Sequence, residues 1–254
     1  MGLRVGFSFD QFSQVLNVRD AAGKPYVLIG GQAVNYWAER YREQEPQLNA
    51  FGPFTSADID FQGTVDDVRL IAKQLALTPG YPPKVAMTAL AGVIPLRIGD
   101  EPSNIEVVRR VPGISGELDA FVIETRWQDK TIRVLNPISL LASKLELVAT
   151  VAQEGRNDVR HLKILVPCVR AFLAMILQQA DHQEIPARAW LSLANQALKL
   201  TAGHRTAKIG EKYQINWREI LPMAAINQSQ DEQIKRFREQ QLEQGYKKAK
   251  GVSI

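Results

Sequence analysis

The chain has 254 residues, which is long enough for one large domain or two smaller ones with a hydrophobic core. Hydrophobic residues make up 45% of it and charged residues 23%, a balance that excludes extensive disorder, and the net charge of +4 mildly favours polyanionic partners. The one cysteine, Cys168, excludes an internal disulfide, and three scattered histidines lack the spacing of zinc ligands.

The amino-terminal sequence MGLRVGFSFDQF lacks the apolar core of a signal peptide. Gly6 stands where a myristoylation signal requires Ser or Thr. No later segment approaches eighteen uninterrupted apolar residues. We therefore expect a cytoplasmic protein that does not bind a membrane.

The first predicted elements are a strand, a glycine turn and a helix. The apolar run 26–29 predicts a buried strand, and Gly30 and Gly31 end it. In residues 32–43 one helical face carries Val34, Trp37, Ala38 and Tyr41, whereas charged side chains lie off it. This order is typical of a βα unit.

A second strand and helix follow after a loop. Residues 44–54 are polar and contain two prolines, which predicts a loop that leads into a strand at 58–61. Thr64 and Asp67 have the spacing of a capping box, and an apolar stripe predicts a helix to about residue 77.

Four short β-rich runs come next, at 93–98, 104–108, 119–127 and 131–135, and they predict strands of one sheet. Asn136 and Pro137 then form a strong helix start. The rest of the chain has a helical pattern, in which Pro167 is expected to kink or divide the segment 158–180.

The fold class that this order predicts is α/β (α+β), a mixed-sheet core with a carboxy-terminal helical domain. We place the core in residues 1–135 and the helical domain in 136–229. Residues 230–254 are rich in Gln, Glu, Lys and Arg, and are expected to form a solvated helix or a frayed tail.

Two aspartates on the predicted second strand are the first candidates for chemistry. Side chains alternate faces along a strand, so Asp58 and Asp60 point the same way while Ile59 and Phe61 point into the packed layer. Like charges this close repel unless a cation lies between them, and oxygen ligands suit Mg²⁺ or Mn²⁺. Alone, however, the pattern is more typical of an acidic strand edge at the surface.

A third acid from a neighbouring strand would complete such a site. Glu106 lies between apolar residues that face the opposite side of its strand, which makes it the first candidate. Asp119, at the start of another hydrophobic run, is the competitor.

The glycine pair is the second candidate. Gly30 and Gly31 lie between a strand and a helix amino terminus, where free N–H groups and the helix dipole attract phosphate. Glycine allows a ligand to approach the backbone closely. An isolated glycine pair is also typical of an ordinary turn; its combination with Asp58 and Asp60 favours a phosphate and metal site.

The segment LIGGQAVNYWAERY followed by TSADIDF resembles the nucleotidyltransferase fold of the DNA polymerase β superfamily. That signature is an apolar strand, a Gly-Gly or Gly-Ser turn opening a helix, and a D-x-D strand. The later stretch LNPISLLASKLELVATVAQEGRNDVRHLKIL resembles AbiEii-type abortive infection toxins and related minimal nucleotidyltransferases, with Lys144, Arg156 and Asp158 at the matching positions. The resemblance spans about residues 27–165.

The resemblance implies three overlapping groups of site residues. The nucleotide-binding group comprises Gly30, Gly31, Ser56 and Lys144. The metal-binding group comprises Asp58, Asp60 and Glu106, with Mg²⁺ or Mn²⁺ as cofactor. The catalytic group comprises Asp58, Asp60, Glu106, Lys144 and Asp158.

The activity that the resemblance implies is transfer of a nucleoside monophosphate from a nucleoside triphosphate onto an RNA such as tRNA, or onto a protein. The implied setting is the toxin of a toxin-antitoxin or phage-defence system, with a cognate antitoxin as partner. The sequence departs from the family pattern at Glu106, usually Asp, at Phe54, often Arg, and at His161, often Asp in related toxins. These departures leave open an inactive module that binds nucleic acid or a partner protein; modification of a small molecule such as an aminoglycoside is a third alternative.

Overall fold

The computed structural model describes residues 5–83 and 85–243. The chain divides into two compact units, Met1–Leu165 and Val166–Ile254. The first contains the sheet and the second is helical. The sheet unit extends thirty residues beyond the predicted end of the core at 135, so it includes the helix that starts after Asn136.

The first unit contains six strands: β1 Val27–Ile29, β2 Asp58–Gln62, β3 Leu90–Ile98, β4 Glu101–Val108, β5 Val122–Trp127 and β6 Lys130–Leu135. Its helices are α1 Gly30–Tyr41, α2 Val65–Leu75 and α3 Pro137–Thr150, and α4 Asp158–Asp181 begins in it. The second unit continues with α5 Ala187–Ala202, α6 His204–Tyr213, α7 Met223–Gln228 and α8 Glu232–Phe237. A π-helical turn, Arg238–Glu243, follows α8.

The six strands form one mixed sheet in the order β3-β4-β2-β1-β6-β5. The β1–β6 and β2–β4 pairs are parallel, and the β1–β2, β3–β4 and β5–β6 pairs are antiparallel. This arrangement confirms the predicted α/β class with a mixed sheet and carboxy-terminal helices. It also places β1 and β2, which carry the two sequence motifs, side by side at its centre.

The local signals explain why these elements form where they do. In β2 the residues Ile59 and Phe61 are buried while their neighbours are half-buried, as the period of a strand requires. Thr64 and Asp67 form the predicted capping box of α2. The Asn136 side chain accepts a hydrogen bond from the Ser139 N–H and so caps α3.

Three local predictions differ from the structure. The predicted loop 44–54 contains a 3-10 helix, Pro46–Phe51, which proline can start because its fixed φ suits a first helical position. Asp119 lies in a 3-10 helix, Leu118–Phe121, that precedes β5, so it does not begin a strand. Of the kink or division expected at Pro167, the division is absent from α4, because tertiary packing outweighs the hydrogen bond that proline removes.

The helical unit buries Trp190 completely, and the indole donates a hydrogen bond to the Leu173 carbonyl. Phe237 of α8 packs edge-on against Trp190 with 5.4 Å between ring centroids, and Ile234 is also buried. The first part of the predicted solvated tail is therefore a packed helix. Residues 244–254 of that tail lie outside the described residues.

Among the described residues, one helix, α4, is long enough and apolar enough to cross a membrane. The protein buries 67% of the apolar eighteen-residue stretch of α4. That degree of burial is typical of a core helix, which passes the same test of length and composition.

Candidate functional site

The three predicted metal-binding acids lie on neighbouring strands. In the parallel β2–β4 pair, Asp60 is opposite Glu106 and Asp58 is opposite Asn104. Residues paired in this way point to the same face of a sheet, and so do alternate residues of one strand. The sheet therefore brings Asp58, Asp60 and Glu106 onto one face, and it leaves Asp119 outside this group.

Asp119 lies beside β5, at the edge strand three positions from β2. Its carboxylate accepts a hydrogen bond from the Arg133 guanidinium at 2.6 Å. An ion pair with a β6 residue thus accounts for the acid that competed with Glu106.

The surroundings of Asp60 disfavour the charged form of its carboxyl group. Burial raises its pKa to about 7, and the negative charges of Glu106 and Asp58 act in the same direction. The positive charge of Lys144 and a hydrogen bond from the Gly31 N–H oppose the shift. The repulsion among the three acids is the kind that a bound cation relieves.

Gly30 lies directly against the Asp60 carboxylate. A Cβ atom at this position would be 2.0 Å from Asp60 Oδ2, and φ of Gly30 is +68°. Both the left-handed backbone and the lack of space therefore require glycine. The glycine turn at 30–31 and the D-x-D strand at 58–60 therefore lie against each other, although 26 residues separate them in sequence.

Gly31 also lies close to neighbouring side chains, those of Ser56 and His161. A Cβ atom there would be 2.7 Å from Ser56 Oγ and 3.4 Å from His161 Cε1. Backbone hydrogen bonds in both directions between Phe7 and Ser56, at 2.9 and 3.0 Å, hold the Ser56 segment in place. The predicted nucleotide-binding residues Gly30, Gly31 and Ser56 thus surround the amino end of α1.

A buried ion pair lies next to the acids. Lys144 of α3 and Asp158 of α4 are joined by a 2.8 Å contact, with 8% and 4% of their side chains exposed. Arg156 contacts the other Asp158 oxygen at 2.7 Å. Burial alone would raise the pKa of Asp158, but the charges and hydrogen bonds of Lys144 and Arg156 outweigh burial and lower it.

The Asp158→Asn variant should be less stable than the wild type by roughly 2 to 4 kcal/mol at pH 7, because Lys144 would remain buried without the carboxylate to which it is paired. Urea unfolding measures the difference. Because the folded-state pKa of Asp158 is lowered, its contribution is present above about pH 4 and is lost as the pH falls. The difference in free energy of unfolding between the variant and the wild type should therefore become smaller as the pH falls below about 4.

Asp66→Asn is the matched control for this experiment. Asp66 also lies in the first turn of a helix and pairs with Arg69, but its side chain is 86% exposed. Exposed pairs contribute about 0 to 1 kcal/mol, so this variant should unfold close to the wild type. Equal losses for the two variants would contradict the importance of burial.

Asp58 and Asp60 are the candidate oxygen ligands for a divalent cation. In the described ranges, no three His, Cys, Asp or Glu side chains converge as they stand on a point that could hold a metal ion. Asn104 donates a 2.9 Å hydrogen bond to Asp58 Oδ1. Mg²⁺ commonly takes one or two carboxylates and completes its shell with water and substrate phosphate, so Asp58 and Asp60 fit that role.

Two residues of the site were missed by the sequence predictions. Asn104 carries a detectable signal, because it is two residues before Glu106 and so repeats the alternation of Asp58 and Asp60. His161 was noted in the sequence only as a departure from the family pattern, since only tertiary packing places it beside Gly31.

The position of Phe54 also has a structural explanation. Its side chain is 4% exposed and belongs to the hydrophobic core of the first unit. It therefore offers no polar group to a phosphate at the place where an arginine was expected from the resemblance.

No family model and no curated protein matches the sequence. Among solved structures, the chain is similar to an antigenic nucleotidyltransferase-like protein from Paracoccidioides brasiliensis, with 13% sequence identity and a TM-score of 0.40. The similarity covers 64% of this chain and 78% of that protein. A nucleotidyltransferase-like protein is thus a distant structural neighbour, and this similarity says nothing about activity.

Proposed function

We propose that the protein is a nucleotidyltransferase that depends on Mg²⁺ or Mn²⁺, moves a nucleoside monophosphate from a nucleoside triphosphate to an acceptor hydroxyl group, and releases pyrophosphate. One observation carries the proposal. The Asp60 carboxylate lies against Gly30 at the amino end of a twelve-residue helix, beside Asp58 and Glu106 on the same sheet face. Acids for a cation and a backbone cradle for phosphate are therefore contiguous.

Each residue of the candidate site would have its own role in the reaction. The free N–H groups at the start of α1 would bind the phosphate chain, and Lys144 would add positive charge there. Asp58 and Asp60 would hold the cation, which when bound neutralises charge on the phosphoryl oxygens. Glu106, opposite Asp60, would accept the proton of the attacking hydroxyl group.

We further propose an RNA such as tRNA, or a protein, as the acceptor. The net charge of +4 supports a polyanionic partner, although it does not select one. In the same proposal the protein acts in the cytoplasm as an AbiEii-like toxin of a toxin-antitoxin or phage-defence pair. Growth arrest on expression, relieved by Asp60→Asn, would test this part separately.

The second candidate function is a non-catalytic module that binds nucleic acid or a partner protein. The Asn104 hydrogen bond to Asp58 favours it, because that bond competes with a cation for one carboxylate oxygen. The two candidates differ in their dependence on metal.

We expect the wild-type protein to transfer label from at least one α-labelled nucleoside triphosphate to total cellular RNA or to protein, and EDTA should abolish the transfer. The reason is that the charge of the phosphate chain needs neutralisation beside three carboxylates. Gel separation of labelled products identifies the acceptor. Nucleic-acid binding that EDTA leaves unchanged, with no transfer from any of the four triphosphates, would instead support the module.

A further inference from the structure

His161, in the first turn of α4, is a buried histidine whose ring is unpaired. Its residue exposure is 4%, and neither Nδ1 nor Nε2 has a hydrogen-bond partner among the described residues. Buried polar atoms are nearly always paired, and an unpaired one costs stability. Packing therefore does not explain why this position carries an imidazole.

The imidazole faces the glycine turn. Its Cε1 atom is 3.4 Å from the position that a Cβ on Gly31 would take, and both ring nitrogens are bonded to Cε1. The edge of the ring that carries both nitrogens therefore lies close to the amino end of α1. Lys144, Asp158 and Arg160 are the charged groups that act on the ring.

The surroundings of the ring favour its neutral form. Burial lowers the pKa of His161 well below its ordinary value, and the positive charges of Lys144 and Arg160 lower it further, against the opposing effect of Asp158. A neutral imidazole has one N–H donor and one acceptor nitrogen. It can therefore donate to an anionic oxygen without a counter-charge of its own.

We propose that His161 is a phosphate-binding residue that donates a hydrogen bond to the phosphate chain of a nucleotide held at the amino end of α1. The inference rests on the proposed function and deepens it. The His161 ring of α4 lies beside Gly31 at the start of α1, and the Lys144 ammonium of α3 acts electrostatically on both His161 and Asp60. Phosphate oxygens, which accept several hydrogen bonds, suit this arrangement of donors.

Calorimetry with inorganic triphosphate and Mg²⁺ tests the proposal without requiring the donor base to be known. His161→Leu removes both nitrogens at similar volume and should weaken binding at least about tenfold, the loss expected for a hydrogen bond to a charged group. His161→Gln restores an amide donor and should recover part of the affinity. His182→Leu is the matched control, because the His182 side chain is 60% exposed.

Nuclear magnetic resonance of the ¹⁵N-labelled histidine rings provides a readout that a purely structural role would not change. Addition of triphosphate should shift the ring nitrogens of His161 and leave those of His182 in place. Unchanged His161 resonances, together with affinities within twofold of a wild type that does bind triphosphate, would overturn the role of His161 alone. A wild type that binds neither triphosphate nor any nucleoside triphosphate would overturn the proposed function as well.

Discussion

The Asp60→Asn variant should lose nucleotide transfer by at least about a hundredfold while its fold is retained. Asparagine has nearly the same shape but cannot supply the charge that a divalent cation requires. In general, removal of a residue that only supports a metal ligand lowers metal affinity or activity by about 10- to 100-fold. Asp60 lies at the centre of this site, between Gly30 and Glu106. Transfer of label from the α-labelled triphosphate is the measurement.

The same substitution should not reduce stability at neutral pH, which separates a functional loss from misfolding. Asp60 has a pKa of about 7 in the folded protein against 3.8 for the ordinary group. The folded state therefore keeps a proton that the unfolded state loses, so the metal-free wild type becomes less stable as the pH rises from about 4 to 7. The shift corresponds to an effect on the order of a few kcal/mol.

Asparagine has no such titration. The free energy of unfolding of metal-free Asp60→Asn, relative to the wild type, should therefore increase over the same pH interval. Asp129→Asn is the control, because this side chain is 83% exposed and remote in sequence from the site. Full transfer activity in Asp60→Asn would refute the proposed metal site.

The Gly30→Ala variant should lose both transfer activity and stability. An alanine at φ of +68° costs roughly 1 to 2 kcal/mol of backbone strain, and its Cβ would meet Asp60 Oδ2 at 2.0 Å. Relief of this clash must move Asp60 or the start of α1, so we expect a total loss of about 2 to 4 kcal/mol. Displacement of a reacting group by about 1 Å can cost a hundredfold in rate.

Gly23→Ala separates strain from contact. Gly23 also has a positive φ, +77°, but nothing lies within 4 Å of a Cβ built there. The Gly23→Ala variant should therefore lose only the stability that backbone strain costs, and it should keep full transfer activity. Urea unfolding and the labelled-nucleotide assay on both variants measure the two effects. Equal behaviour of the two variants would show that the contact between Gly30 and Asp60 has no role.

Much of the sheet unit was predictable because its elements carry strong local signals. The alternation in β2, the capping box at Thr64 and the Asn136–Pro137 helix start depend on neighbours within a few residues. The missed elements have weak or conflicting local signals. Pro167 normally interrupts a helix, yet α4 continues through it because the surrounding apolar residues are buried.

The sequence by itself determined that Asp58 and Asp60 share one strand face and that Gly30 and Gly31 open a helix, because these relations follow from the periods of a strand and a helix. The tertiary structure alone decided that Glu106, rather than Asp119, lies beside Asp60. Strand order and register bring together residues far apart in sequence, and local pattern does not encode them.

The same reason applies to the other long-range contacts of the site. The contact of Gly30 with Asp60, the Asn104 hydrogen bond to Asp58, and the burial of His161 beside Gly31 each join separate elements. Their geometry depends on how helices and strands pack, since side chains fill the space that the backbone leaves between them. The motifs thus identified the chemical groups, and the packing of the first unit determined which of them meet.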